Sequence, residues 1–204
     1  MANINVLGEY NFPIKLEFKI GTFSNDFTAT DSHGTVIAYT KQKLFKFKEH
    51  VIVYADTNQT EVKFEIRADK WLDFNTSYSF TDKNGMPIGR VLRKGWRSIW
   101  KAQYNILDHN DQPDCNIAEA DPWTKVLDGL LSEIPILGIF TGYLFNPTYL
   151  VTRPDGTLIC KLKKDASFFG RKFTISQEDI LQAGEEERVL LSLMMMVLLE
   201  RRRG

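Results

Sequence analysis

Apolar and polar residues alternate with a period of two over much of the chain. Tyr10 to Ile20 places Ile14, Leu16, Phe18 and Ile20 on one face, and Val62 to Ala68 (VKFEIRA) alternates strictly. This period predicts strands, because successive strand side chains point to opposite faces. Three longer segments repeat one pattern: Phe27 to Asp56, Tyr78 to Asp108 and Tyr149 to Ser176. Each opens with an aromatic and alternating residues. Each then has a turn with Asp and Gly (Asp31 to Gly34, Asp82 to Gly85, Asp155 to Gly156), and Ile37, Ile88 or Ile159 three residues after the Gly. Asp bonds its own backbone in turns and Gly takes positive φ without steric penalty, so each unit reads as a hairpin within a short meander of about four strands. The glycines are 51 and then 71 residues apart, so no fixed-period solenoid is expected.

Two stretches break the period of two. Pro113 to Pro147 reads as a helical insertion: Asp121-Pro122 is an N-cap with proline at the first helical position, and Trp123, Val126, Leu127, Leu130, Leu131 and Ile134 follow at helical spacing. At the C-terminal end, Ser176 and Asp179 suggest a capping box, with one or two helices broken near Gly184. Val189 to Leu199 (VLLSLMMMVLL) is apolar on every side. As a helix it is about 16 Å long, half a bilayer, so its expected place is the middle of the protein.

Length and charge narrow the function. A chain of 204 residues makes a single domain over 1–204 that needs no disulfide staple. Cys115 and Cys160 lack CxxC spacing and read as buried free thiols. Met1 to Glu9 has no secretory pattern, and a cytoplasmic location, with peripheral membrane attachment as an option, is expected. The net charge of zero, without a recognition motif, excludes a nucleic-acid module. His33, His50 and His109 are scattered at turns and strand ends, and HExxH, GxSxG, Walker A and GxGxxG are all missing. No catalytic residue, metal site or cofactor is expected.

The repeated hairpins, the basic strand at Arg93-Lys94, Asn146-Pro147-Thr148-Tyr149 and the closing apolar helix resemble the LURP-one-related and phospholipid scramblase-like families. These fall within the tubby C-terminal-like superfamily. The resemblance covers roughly Phe23 to Leu199 and implies a mainly β fold: a closed antiparallel barrel of about twelve strands around a buried hydrophobic C-terminal helix. Methionines 194 to 196 suit such an interior as adaptable filler. The resemblance also implies lipid-directed, non-catalytic roles. The chain departs from scramblases in lacking a proline-rich N-terminus, a palmitoylation cysteine cluster and a calcium loop; Asp108 to Pro113 has Pro where such a loop needs Gly.

Charge supplies the candidate site. Lys41 to Lys101 carries 13 basic and 7 acidic residues, whereas Asp108 to Glu133 carries 7 acidic and 1 basic. Basic residues recur at matching repeat positions: Lys41 and Lys43; Arg90, Arg93, Lys94 and Arg97; Lys163 and Lys164. Gathered on one barrel face, with Trp96 and Trp100 nearby, they would suit an anionic membrane surface or a phosphorylated ligand. The bland alternative is the solvated outer face of strands. Rival roles are a protein-interaction scaffold using the Pro122 to Glu133 helix and a calcium-independent scramblase-like protein.

Overall fold

The computed structural model describes residues 10–18, 24–43, 50–69, 77–93, 103–120, 147–165 and 171–200. Twelve strands follow one another: β1 Ile14–Phe18, β2 Ser24–Thr30, β3 Val36–Lys43, β4 His50–Tyr54, β5 Val62–Ala68, β6 Ser77–Asp82, β7 Pro87–Arg93, β8 Gln103–Asp108, β9 Pro113–Glu119, β10 Thr148–Thr152, β11 Leu158–Asp165 and β12 Arg171–Gln177. Among the described residues one helix, α1 Glu185–Glu200, closes the order. Each strand pairs with its sequence neighbours, and β1 pairs with β12 (Ile14 opposite Ile175), so the meander closes into an antiparallel barrel. Closure gives every strand a neighbour on both sides, the β3–β4 pair being joined at Tyr39 and Tyr54 alone.

Alternation in the sequence becomes inside and outside. Ile14, Leu16 and Phe18 of β1 face in and are buried, while Lys15 and Glu17 face out. Val51, Val53, Phe64, Ile66, Tyr78, Phe80, Tyr104, Ile106, Ile117, Leu162 and Ile175 continue the inner wall. The outer face carries charged positions such as Arg67, Lys163 and Lys172, all exposed. That is the reverse of a membrane-spanning barrel, whose outer band is apolar. Among the described residues no helix is long and apolar enough to cross a membrane.

α1 fills the interior. Every residue from Val189 to Leu198 is at most 3% exposed, including Met194, Met195 and Met196. A helix apolar all round needs a surface that surrounds it, and the barrel provides one. Gly89 on β7 is part of that fit. A Cβ there would lie 2.7 Å from Arg188 Cδ and closer still to the Leu107 carbonyl oxygen, and its φ is +152°. Only glycine lets β7 approach the helix so closely.

Two expectations change. Pro113–Glu119, expected to open the insertion, is strand β9; proline is tolerated at the first residue of a strand, and Cys115 and Ile117 alternate inward. The expected Pro122 to Glu133 helix lies outside the described residues. The Ser176/Asp179 capping box is not formed. Ser176 belongs to β12, its Oγ donating to Glu178, and helix begins only at Glu185, after Gly184 with φ +75°.

Candidate functional site

Strand alternation sorts the connections into two ends. The turns β2–β3, β4–β5, β6–β7, β8–β9 and β10–β11 lie at one end, with the β12–α1 connection; we call this the turn end. The opposite end is the mouth. Both differ in chemistry from the barrel wall.

Four turn-end hairpins share one backbone pattern. The first residue's N–H donates to the carbonyl four residues on, and its own carbonyl accepts from the residue three on: Asp31 with Thr35 and Gly34, Asp82 with Met86 and Gly85, Asp108 with Gln112 and Asp111, Arg153 with Thr157 and Gly156. The residue three on has positive φ in every case, which explains three glycines. In the first three turns an aspartate oxygen also accepts two backbone N–H groups, for instance His33 at 3.0 Å and Thr35 at 2.8 Å for Asp31. These bonds hold Asp82 and Asp108 below the ordinary carboxylate range. Asp56 does the same in the longer β4–β5 turn and is likewise held low, first by the Thr60 hydroxyl.

Arg153 occupies the fourth first position, so the turn residue aligned with Asp31 and Asp82 is Arg153 rather than Asp155. Asp155 takes over the capping, accepting from the Thr157 N–H at 2.8 Å. Arg153 is thereby released to clamp the helix start. Its Nε and Nη2 donate to Glu185 at 2.9 and 2.7 Å, Nη1 donates to Asp179 at 3.1 Å, and Nη2 donates to the Ile180 carbonyl at 2.8 Å. Glu185 Oε2 also accepts the Gln182 N–H at 2.8 Å, so it caps its own helix. A second clamp joins Arg188 Nε to Asp114 at 2.7 Å, and Glu186 accepts the Tyr10 N–H at 3.2 Å. Acidic residues in the first turn also favour the helix dipole.

Asp114, Cys115 and Glu185 bring one ligand atom each to within 4.8 Å of one another, the spacing of a small metal site. The two carboxylates are already bonded to Arg188 and Arg153. Burial pushes the Cys115 thiol well above its ordinary range. The two carboxylates and their arginines form an ion-pair plug at the helix start. Cys160 is likewise buried and free, pushed up to about 12 by burial. His33 and His109 are exposed at turns, and His50 pairs with Glu65 at 2.9 Å on the outer face.

The basic residues singled out from the sequence lie mainly at the mouth. β3, β7 and β11 all run from the turn end to the mouth, and each ends in basic residues: Lys41 and Lys43, Arg93, Lys163 and Lys164. These strands stand four places apart in a ring of twelve, so the groups lie around a rim and do not gather on one lateral face. Lys41 and Lys163 are exposed on the outer face. Arg93 and Lys164 are half-buried on the inner face of the rim, opposite Tyr104 and Phe173. Arg90 lies lower on β7 and is engaged by Asp111 at 2.8 Å. Lys94 and Arg97, with Trp96 and Trp100, lie outside the described residues. Among the described side chains near the mouth, Glu17 is engaged by Lys172 at 3.1 Å, Asp69 by Ser77 and Ser79, and Asp165 by Thr174. Lys41 and Lys163 form no ion pair with a described residue.

A twelve-stranded closed barrel threaded by an apolar helix is the class that this geometry defines. The LURP-one-related family profile matches residues 36–195, from the first residue of β3 into α1, and the chain belongs to that family. No curated protein matches the sequence. An X-ray structure of a protein from Arabidopsis thaliana is similar, with 11% identity, covering 92% of this chain and 90% of that one at a TM-score of 0.47.

Proposed function

We propose that this LURP-one-related barrel is a non-catalytic peripheral binder of anionic phospholipid head groups, docking mouth first. The observation that carries the reading is the separation of charge along the barrel axis. The turn end presents Asp31, Asp56, Glu61, Asp82, Asp108, Asp111, Asp155, Glu178 and Asp179, against only Lys83 and Arg153 as permanent cations in the same connections. The mouth carries Lys41, Lys43, Arg93, Lys163 and Lys164 at the ends of three evenly spaced strands, and its acids Glu17, Asp69 and Asp165 are engaged by Lys172, by Ser77 and Ser79, and by Thr174. A ring of cations around one end addresses a flat anionic surface better than a single small ligand. Each Lys or Arg near such a surface contributes about 1 kcal/mol, and exposed Lys41 and Lys163 on the outer rim are placed to do so. The resemblance to scramblase-like and tubby C-terminal proteins points the same way. The helix takes no part in insertion, since its apolar residues are consumed by the barrel.

Flotation with vesicles tests this reading. The expected result is binding to phosphatidylserine-containing vesicles at low salt, loss in about 0.5 M salt, where screening shortens to a few ångströms, and none to neutral vesicles. Absence of binding to anionic vesicles at low salt would overturn it.

A further inference from the structure

The barrel wall is not uniform. Eleven of its twelve neighbour pairs are held by registers of four to seven residue pairs. The β3–β4 seam is held by one, Tyr39 opposite Tyr54. Continuing that register toward the mouth would place Thr40 opposite Val53, Lys41 opposite Ile52 and Gln42 opposite Val51; none of these pairs forms. The outer neighbours are fully zipped: β2 pairs with β3 as far as Lys43, and β4 pairs with β5 from His50. The two strands are therefore regular but unladdered toward each other. The seam has a second mark. Thr40 is 1% exposed and faces inward with its register partner Phe27, and its Oγ1 has no hydrogen-bond partner.

Backbone N–H and C=O groups are obligatory hydrogen-bonding groups, and a row of them without a ladder is a template for another strand. We propose that the mouth half of the β3–β4 seam is a strand-addition site for an extended segment of a partner protein. Main-chain hydrogen bonds to Thr40–Lys43 would supply affinity, and alternate side chains would supply selectivity. On the inward side the segment meets Val51 and Val53, both buried, which select apolar residues. On the outward side it runs beside exposed Lys41, which selects carboxylates. The fitting partner is thus an extended segment alternating apolar and acidic residues.

The test uses the full chain without lipid, so its outcome is independent of the membrane reading. The probes are an eight-residue peptide of alternating valine and glutamate, and the same peptide with alternate amides N-methylated. In the free protein, seam-facing amides within Thr40–Lys43 and Val51–Val53 are expected to exchange at least ten-fold faster than amides at matching positions of the β7–β8 pair. The unmodified peptide at millimolar concentration slows them by ten-fold or more; the methylated one does not. The reduced Lys41→Cys/Ile52→Cys variant is still protected by the unmodified peptide, more weakly because Lys41 is gone, and loses that protection once oxidised. Slow exchange in the free wild-type protein, or equal protection by both peptides, would overturn the proposal. So would protection retained in the disulfide-closed variant.

Discussion

Replacing Arg153 by alanine removes a cation that serves three acceptors at once. Glu185 loses a two-pronged partner at 2.7 and 2.9 Å, and its side chain is only 3% exposed. Burial alone would raise the Glu185 carboxyl, but the Arg153 guanidinium and the Gln182 N–H outweigh it and hold the group below its usual 4.5. Deleting one partner of a buried pair costs about 3–5 kcal/mol, because the other charge is left without compensation. Asp179 is 43% exposed and water replaces that part of the clamp, so the expected loss is about 3 kcal/mol at pH 7. The sign against pH follows. In the wild type the folded carboxyl is depressed, so its contribution is present above the unfolded value of about 4.5 and fades as pH falls below it. In Arg153→Ala burial dominates and the folded carboxyl rises, so protonation restores the variant and its deficit shrinks between pH 7 and pH 4. Urea unfolding at several pH values measures this, with the slope m unchanged. An Arg153→Leu/Glu185→Leu pair recovers most of the loss, since a buried ion pair exchanges well for apolar groups. A deficit under 1 kcal/mol at pH 7, or one independent of pH, would refute the clamp.

Further expectations concern other parts of the molecule. Gly89→Ala forces a Cβ against the Leu107 carbonyl and the Arg188 stem at φ +152° and is expected to cost about 2–4 kcal/mol in the same unfolding assay. Leu193→Ala, at a fully buried site on α1, costs about 2–5 kcal/mol. Cys115 and Cys160 resist a thiol reagent at pH 8 in the native protein and react on unfolding, because burial holds both thiols high. Stability falls as pH drops below about 4, since Asp56, Asp82, Asp108, Asp155 and Glu178 are all held below their usual values and lose bonds on protonation; an acid unfolding midpoint reads this directly.

The strands were legible because their period is enforced by a core on one side and water on the other. Val62–Ala68 was recognisable from seven alternating letters, and it is β5 to the residue. The central helix was legible from the absence of any polar face. The fourth hairpin position was not, because the sequence cue is an acceptor side chain and Arg153 has none; only the backbone bonds to Thr157 and Gly156 reveal it. Asp155, standing next to Gly156, drew attention to itself for the same reason. The helix start was misplaced because Ser176 and Asp179 carry capping chemistry that β12 and Arg153 use otherwise. The basic repeats were visible as charge, but whether they share a face or a rim depends on closure of twelve strands. The weak β3–β4 seam left no trace, since both strands carry ordinary β residues.

Orientation on a membrane tests the central claim most directly. A single cysteine is placed at the rim by Lys163→Cys or at the turn end by Lys83→Cys, and each is labelled with an environment-sensitive fluorophore; the native thiols are buried and stay unlabelled. With phosphatidylserine-containing vesicles, the rim label is expected to shift to the blue and lose access to an aqueous quencher, while the turn-end label keeps its spectrum. A shift at the turn end alone, or at neither position while the protein is bound, would contradict mouth-first docking.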